Sequence, residues 1–104
     1  MIDVSIIIVN YNLLDILENC LASLQQYTTE VRYEVIVVDN GTTSGDVEEV
    51  TNKYKNTILI KNNRNVGFAA ANNQGAKLAR GKYLLILNND IVFIENSVKK
   101  VFQL

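Results

Sequence analysis

The chain has 104 residues, enough for one domain with a modest core. With 48% hydrophobic and 20% charged residues it has the composition of a globular domain, and a net charge of −1 excludes the basic field expected of a nucleic-acid partner. The absence of histidine removes the commonest general base and metal ligand, and the single Cys20 excludes an internal disulfide and fits a reducing compartment.

The first segment, "VSIIIVN" (Val4–Asn10), is β-branched and apolar on both faces, which predicts a strand covered on both sides in a parallel sheet. "NLLDILENCLASLQQY" then places Leu13, Leu17, Cys20, Leu21 and Leu24 at helical spacing, with Cys20 in the core and Asn12 as a capping residue, Asp15 three positions on. "YEVIVVDNG" repeats the strand signature. "SGDVEEVTNKYK" predicts a more polar helix starting near Ser44 or Asp46, with Asp46, Glu48 and Glu49 on a solvated face. "TILIKNN" predicts a third, shorter strand. "GFAAANNQGAKLARG" predicts a helix poor in bulk, closed by Gly81. "KYLLILNND" is the fourth strand, and "ENSVKKVFQL" one more helix starting near Asn96 or Ser97. Strands alternating with helices predict an α/β, Rossmann-like parallel sheet of about four strands with helices on both faces. No proline, repeat or linker divides it.

Ligands of open α/β sheets bind outside the carboxyl ends of the strands. Here those ends read Asn10-Tyr11-Asn12, Asp39-Asn40-Gly41, Asn62-Asn63-Arg64-Asn65 and Asn88-Asn89-Asp90. They hold eight of the fourteen asparagines, too many for four independent turns to explain easily. Together they predict one rim, with two carboxylates and one arginine, suited to a ligand carrying nucleobase, sugar and phosphate. Neither GxGxxG nor GxxxxGK[ST] is present, which counts against dinucleotide dehydrogenases and P-loop enzymes. A phosphate ligand would then need basic side chains or a hard divalent cation, with Asp90 the candidate metal ligand.

"VSIIIVNYN", "YEVIVVDNG" and "NRNVGFAAANNQGAKLARGKYLLILNND" resemble, in order and spacing, the nucleotide-sugar half of family 2 inverting glycosyltransferases with the GT-A fold; "LNND" most resembles rhamnosyltransferase-like members. The resemblance covers nearly the whole chain. It implies that Asn10, Tyr11 and Asn12 form the turn beside the nucleobase and that Asp39 hydrogen-bonds its pyrimidine edge. Asn65-Val66-Gly67 is implied to line the nucleotide pocket. Where family members often carry Ala-Arg-Asn, this chain has Ala71-Asn72-Asn73, so Asn72 replaces a cationic side chain. The DxD motif falls on Asn88-Asn89-Asp90: Asn88 toward ribose, Asn89 between, and Asp90 on a divalent metal, Mg or Mn, that bridges the two phosphates. The site thus has one carboxylate fewer than a full DxD.

The resemblance implies transfer of a sugar from a nucleotide diphosphate sugar donor to a hydroxyl of a saccharide or lipid-linked acceptor, with inversion and metal assistance. The family's catalytic base lies beyond the DxD, in the acceptor-binding half. Residues 1–104 are therefore expected to be a nucleotide-diphospho-sugar-binding domain cut before that half, inactive alone, in a protein of polysaccharide or cell-envelope biosynthesis. A non-catalytic nucleotide or nucleotide-sugar binding module is the alternative. A nucleotidyltransferase is disfavoured, because no Gly-rich basic loop follows the first strand. No stretch approaches the ~20 apolar residues of a membrane span and the N-terminus lacks a cationic signal start, so the expected location is cytoplasmic, peripheral to the inner membrane face in the full-length protein. The fourth strand is expected to leave an apolar edge that favours a homodimer.

Overall fold

A computed structural model of the chain describes residues 1–103. It contains β1 (Val4–Asn10), α1 (Leu14–Tyr27), β2 (Tyr33–Asp39), α2 (Val47–Thr51), β3 (Thr57–Lys61), α3 (Phe68–Leu78), β4 (Tyr83–Leu87) and α4 (Ser97–Phe102). The four strands form one sheet in the order β3-β2-β1-β4, every neighbouring pair parallel. This is the α/β, Rossmann-like sheet that the alternating strand and helix signals predict.

The apolar runs of β1 and β2 are continuous because both faces are covered. On one face Val4, Ile6 and Ile8 of β1 and Val35 and Val37 of β2 meet Leu17, Cys20, Leu21 and Leu24 of α1, Val47 and Val50 of α2, and Val98 of α4. On the other, Ile7, Ile36 and Val38 meet Ala71 of α3. The small residues of α3 let it approach the sheet closely: a Cβ on Gly75 would stand 2.8 Å from Ile7 Cγ2.

Three local expectations are corrected. Asn12 does not cap α1; the preceding residue is Leu13, itself left-handed at φ 49°, and no side chain caps the helix. Gly81 does not close α3, which ends at Leu78 with Ala79 as its cap. Its small size serves a close approach instead, since a Cβ there would lie 2.5 Å from the Ser5 amide nitrogen. The predicted polar helix shortens to five residues, capped as expected by Asp46, whose carboxylate accepts from the Glu48 and Glu49 amides.

At the amino ends of the strands a charged residue interrupts β2. Glu34 lies opposite Ser5 of β1. Its carboxylate accepts from the Ser5 hydroxyl at 2.6 Å, the Arg80 amide at 2.7 Å, and Arg80 Nε and an Nη at 3.1 and 3.0 Å. Ser5 Oγ in turn accepts from the Gly81 amide at 2.7 Å. Burial pushes the Glu34 carboxyl up, but the Ser5 hydroxyl and the Arg80 amide and guanidinium outweigh it, and the net shift is downward from the ordinary 4.5. This clasp fixes the α3–β4 junction, and with it the register of the strand that leads to the rim.

β4 is an edge strand. Tyr83, Leu84 and Ile86 are about half exposed or more, and a groove of about 260 Å³ runs between β4 and α4, lined by Val4, Tyr83, Leu84, Leu85, Val98, Val101 and Phe102. It begins beside Val4 and Tyr83, at the amino ends of the strands, away from the polar rim. Among the described residues no helix is long and apolar enough to cross a membrane.

Candidate functional site at the carboxyl rim of the sheet

The parallel arrangement brings all four strand ends to one side, and side-chain amides then tie them together. Asn10 ends β1, the strand between β2 and β4. It is 1% exposed, and its amide donates to the Asn12 carbonyl at 2.9 Å and to Asp39 Oδ1 at 3.2 Å. Its Oδ1 accepts from Asn89 Nδ2 at 2.9 Å. Asn10, Asn12, Asp39 and Asn89, predicted separately from three strand ends, thus form one connected network.

Asp39 is 2% exposed and held by the turn that follows it. Oδ2 accepts from the Thr42 amide at 2.9 Å, and Oδ1 from the Thr42 hydroxyl at 2.5 Å. That hydroxyl also accepts from the Asn12 amide at 2.9 Å. Thr42 therefore joins the β1 and β2 ends; sequence reasoning missed it, although an aspartate followed three residues later by threonine is a turn signal.

Asn12 and Leu13 both have positive φ, 52° and 49°. Each left-handed residue costs roughly 1–2 kcal/mol. The strain is offset by Asn12 Oδ1, which accepts from the Thr43 and Ser44 amides at 2.9 and 3.2 Å. The turn leaves Tyr11 48% exposed, and a shallow cleft of about 490 Å³ is lined by Leu13, Leu14, Asp15, Ile16 and Ser44.

On the β3 side, Asn40 has the corresponding role. Its Oδ1 accepts from Asn62 Nδ2 and the Val66 amide, and its Nδ2 donates to the Gly67 carbonyl. Asn65 Oδ1 accepts from the Gly67 amide at 2.8 Å, and Gly67 adopts φ 91°, which favours glycine. Gly41, at φ 87°, packs against the Arg64 backbone, where a Cβ would meet the Arg64 Cα at 3.0 Å. The predicted Asn65–Gly67 segment is therefore anchored to the end of β2. Asn72 is buried on α3, and its Oδ1 has no hydrogen-bond partner among the described residues. An unpartnered buried acceptor of this kind calls for a donor from elsewhere.

β4 ends at Leu87, so Asn88, Asn89 and Asp90 occupy the turn after it. Asn88 and Asp90 are exposed while Asn89 turns inward. Among the described residues, Asp90 takes part in no salt bridge. It lies near α1: the buried Cys20 thiol is pushed up to about 11, mostly by burial and further by the Asp90 charge. Cys20 is thus a protonated core residue. Among the described residues no group of three or more His, Cys, Asp or Glu side chains gathers to hold a metal.

The sequence matches the family described as Glycosyl transferase family 2 over residues 5–104. It is 32% identical over 105 residues to an uncharacterized glycosyltransferase of Methanocaldococcus jannaschii, covering 96% of this chain and 36% of that protein. It is 34% identical over 92 residues to the poly(ribitol-phosphate) beta-glucosyltransferase of Bacillus spizizenii, covering 84% of this chain and 14% of that one. The fold superimposes on S. aureus TarS 1-349 in complex with UDP with a TM-score of 0.80 and 27% identity, over 96% of this chain and 31% of TarS 1-349. The chain therefore spans about a third or less of these proteins. Its rim geometry and its match along almost the whole sequence lead to one assignment: the chain belongs to glycosyl transferase family 2 and carries the GT-A type of α/β sheet.

Proposed function

We propose that this chain is the donor-binding part of a glycosyltransferase that moves a sugar, of hexosyl type, from a nucleotide diphosphate sugar to a hydroxyl of a saccharide or lipid-linked acceptor with inversion. The observation that carries the reading is the convergence of all four strand ends on one hydrogen-bonded rim, with exposed Asp90 after the edge strand β4 and buried Asp39 at the end of β2. The similarity to a structure solved with UDP supports it.

In this reading the Asn10–Asn12 turn, with exposed Tyr11, flanks the nucleobase, and Asp39 presents the remaining lone pair of Oδ2 to it. Asn65 and Gly67 line the pocket, with backbone held by Asn40. Asn72 lies buried behind this wall, and its Oδ1 becomes an acceptor for a nucleotide donor group once its side chain turns outward. Asn88, exposed and uncharged, faces ribose, for which an amide supplies both donor and acceptor.

Asp90 suits a divalent metal held chiefly by ligand oxygens. It is exposed and, among the described residues, in no ion pair, and Mg²⁺ is commonly held by one or two carboxylates plus phosphate oxygens and water. A metal there would offset the negative charge of a leaving diphosphate. Of the two rim carboxylates, Asp39 is buried, held by Thr42 and Asn10 and assigned to the nucleobase, and Asp90 is assigned to the metal, so neither is assigned to deprotonate an acceptor. The chain alone is therefore proposed to bind donor without turning it over, and the peripheral cytoplasmic location belongs to the whole protein.

Calorimetric titration of UDP, dTDP and GDP, with and without Mn²⁺, tests this. Binding of at least one of them should strengthen with Mn²⁺ and lose that gain in Asp90→Asn. Metal-independent binding of equal strength in parent and Asp90→Asn defeats the metal assignment. Sugar transfer catalysed by the 104-residue chain defeats the binding-only role.

A further inference from the structure

The amides at the rim have a fixed direction. Asp39 ends the chain of hydrogen bonds, because both of its oxygens accept there. Asn10 must therefore turn its amide nitrogen toward β2, where it donates to Asp39 Oδ1 and to the Asn12 carbonyl. That leaves Asn10 Oδ1 facing β4 as an acceptor, and position 89 has to supply the donor. Asn89 Nδ2 does so at 2.9 Å. An aspartate at 89 would place oxygen against oxygen.

The register shows why position 89 is the one that reaches. β1 and β4 pair with a constant offset, Ser5 with Leu84 through Ile8 with Leu87, and the Asn10–Asn89 hydrogen bond continues that offset of 79 past the end of β4. Asn89 consequently points into the sheet end, and its neighbours Asn88 and Asp90 are the residues left exposed.

We propose that Asn89 is a positioning residue rather than a ligand of the nucleotide or the metal: through Asn10 it fixes the turn bearing Asn88 and Asp90 relative to Asp39. The base-reading end and the diphosphate end of the site are then held at one spacing by a relay of two side-chain amides. This rests on the donor-binding reading above and assigns within it a role that a metal-facing or ribose-facing Asn89 would contradict.

The test uses the 104-residue chain, UDP, dTDP and GDP as probes, and Mn²⁺. Loss of a hydrogen bond to a buried partner predicts that Asn89→Ala lowers the Mn²⁺-dependent gain in nucleotide affinity about tenfold. Asn89→Asp, although nearly isosteric, should lower it at least as far, because its carboxylate repels Asn10 Oδ1. If position 89 faced the metal, the added carboxylate would instead strengthen Mn²⁺-dependent binding, and that outcome overturns the proposal. The relay is also read without any ligand. In ¹H–¹⁵N spectra, Asn89→Ala should shift the Asn10 side-chain amide and the Thr42 backbone amide that donates to Asp39. If both stay in place while the chain remains folded, the relay is refuted whatever binds. If no nucleotide binds the parent chain, the donor reading fails and the positioning role falls with it, even where those amides shift.

Discussion

Removing the buried carboxylate of Glu34 should cost far more stability than removing the arginine that pairs with it. Glu34→Ala leaves the Ser5 hydroxyl and the Arg80 amide without their acceptor, in a place where Ser5 is fully buried. Each orphaned buried group costs about 1–3 kcal/mol, so the loss is about 4 kcal/mol, a large share of the roughly 5–15 kcal/mol total of a small domain. Arg80→Ala keeps the backbone amide on the carboxylate and removes a guanidinium whose side chain is 67% exposed, against 2% for Glu34. Water takes its place, and the cost falls to about 1 kcal/mol. Urea denaturation followed by circular dichroism measures both. The linked pH dependence has a definite sign. The folded carboxyl sits below its ordinary 4.5, so the unfolded state binds more protons in the interval between the two values. The stabilisation is present above pH 4.5 and is lost as pH falls through the folded value; Glu34→Gln should flatten stability in that acid window. An Arg80→Ala loss equal to or larger than that of Glu34→Ala would refute the reasoning, as would an unchanged acid slope in Glu34→Gln.

Gly81→Ala should destabilise by about 3 kcal/mol in the same assay, because its Cβ would meet the Ser5 backbone at 2.5 Å and backbone cannot step aside. Gly75→Ala gains about 1 kcal/mol of helix propensity but overpacks Ile7 Cγ2, which its Cβ would meet at 2.8 Å, at a cost of about 1–3 kcal/mol, for a net loss that should disappear in an Ile7→Ala background, where that atom is gone. Asp46→Ala should cost about 1 kcal/mol through loss of the α2 cap, without changing nucleotide affinity in calorimetry. The open β4 edge predicts self-association: sedimentation velocity over a wide concentration range should show dimer, suppressed by Leu84→Lys, and a clean monomer throughout would count against it.

The strands were legible because β-branched runs such as "VSIIIVN" have few other readings, and each strand end was legible through its asparagines. Nothing in the sequence marks out Glu34, since one charge inside "YEVIVVD" reads as an alternation until Ser5 and Arg80, 29 and 46 positions away in the chain, meet it in the fold. Asn12 illustrates the same limit. A polar residue before a helix suggests a cap, yet its oxygen accepts from Thr43 and Ser44, amides delivered by a loop that local spacing does not place. Gly81 reads as a helix terminator until β1 is seen passing beside it. At the site, residue identities were readable, but directions were not: which of Asn88, Asn89 and Asp90 turns inward depends on the register of β4 against β1.

β1 is fastened at two heights, by Ser5 to Glu34 and by Asn10 to Asp39, and both fastenings span 29 positions. Only Ile6, Ile7, Ile8 and Val9 lie between them. Adding or deleting one residue in that interval would turn half the strand over and unfasten one end whatever the other did. Changes in chain length between Ser5 and Asn10 should therefore be rejected. For anyone grafting or recombining this domain, the count of residues in its central strand is as binding as their identity.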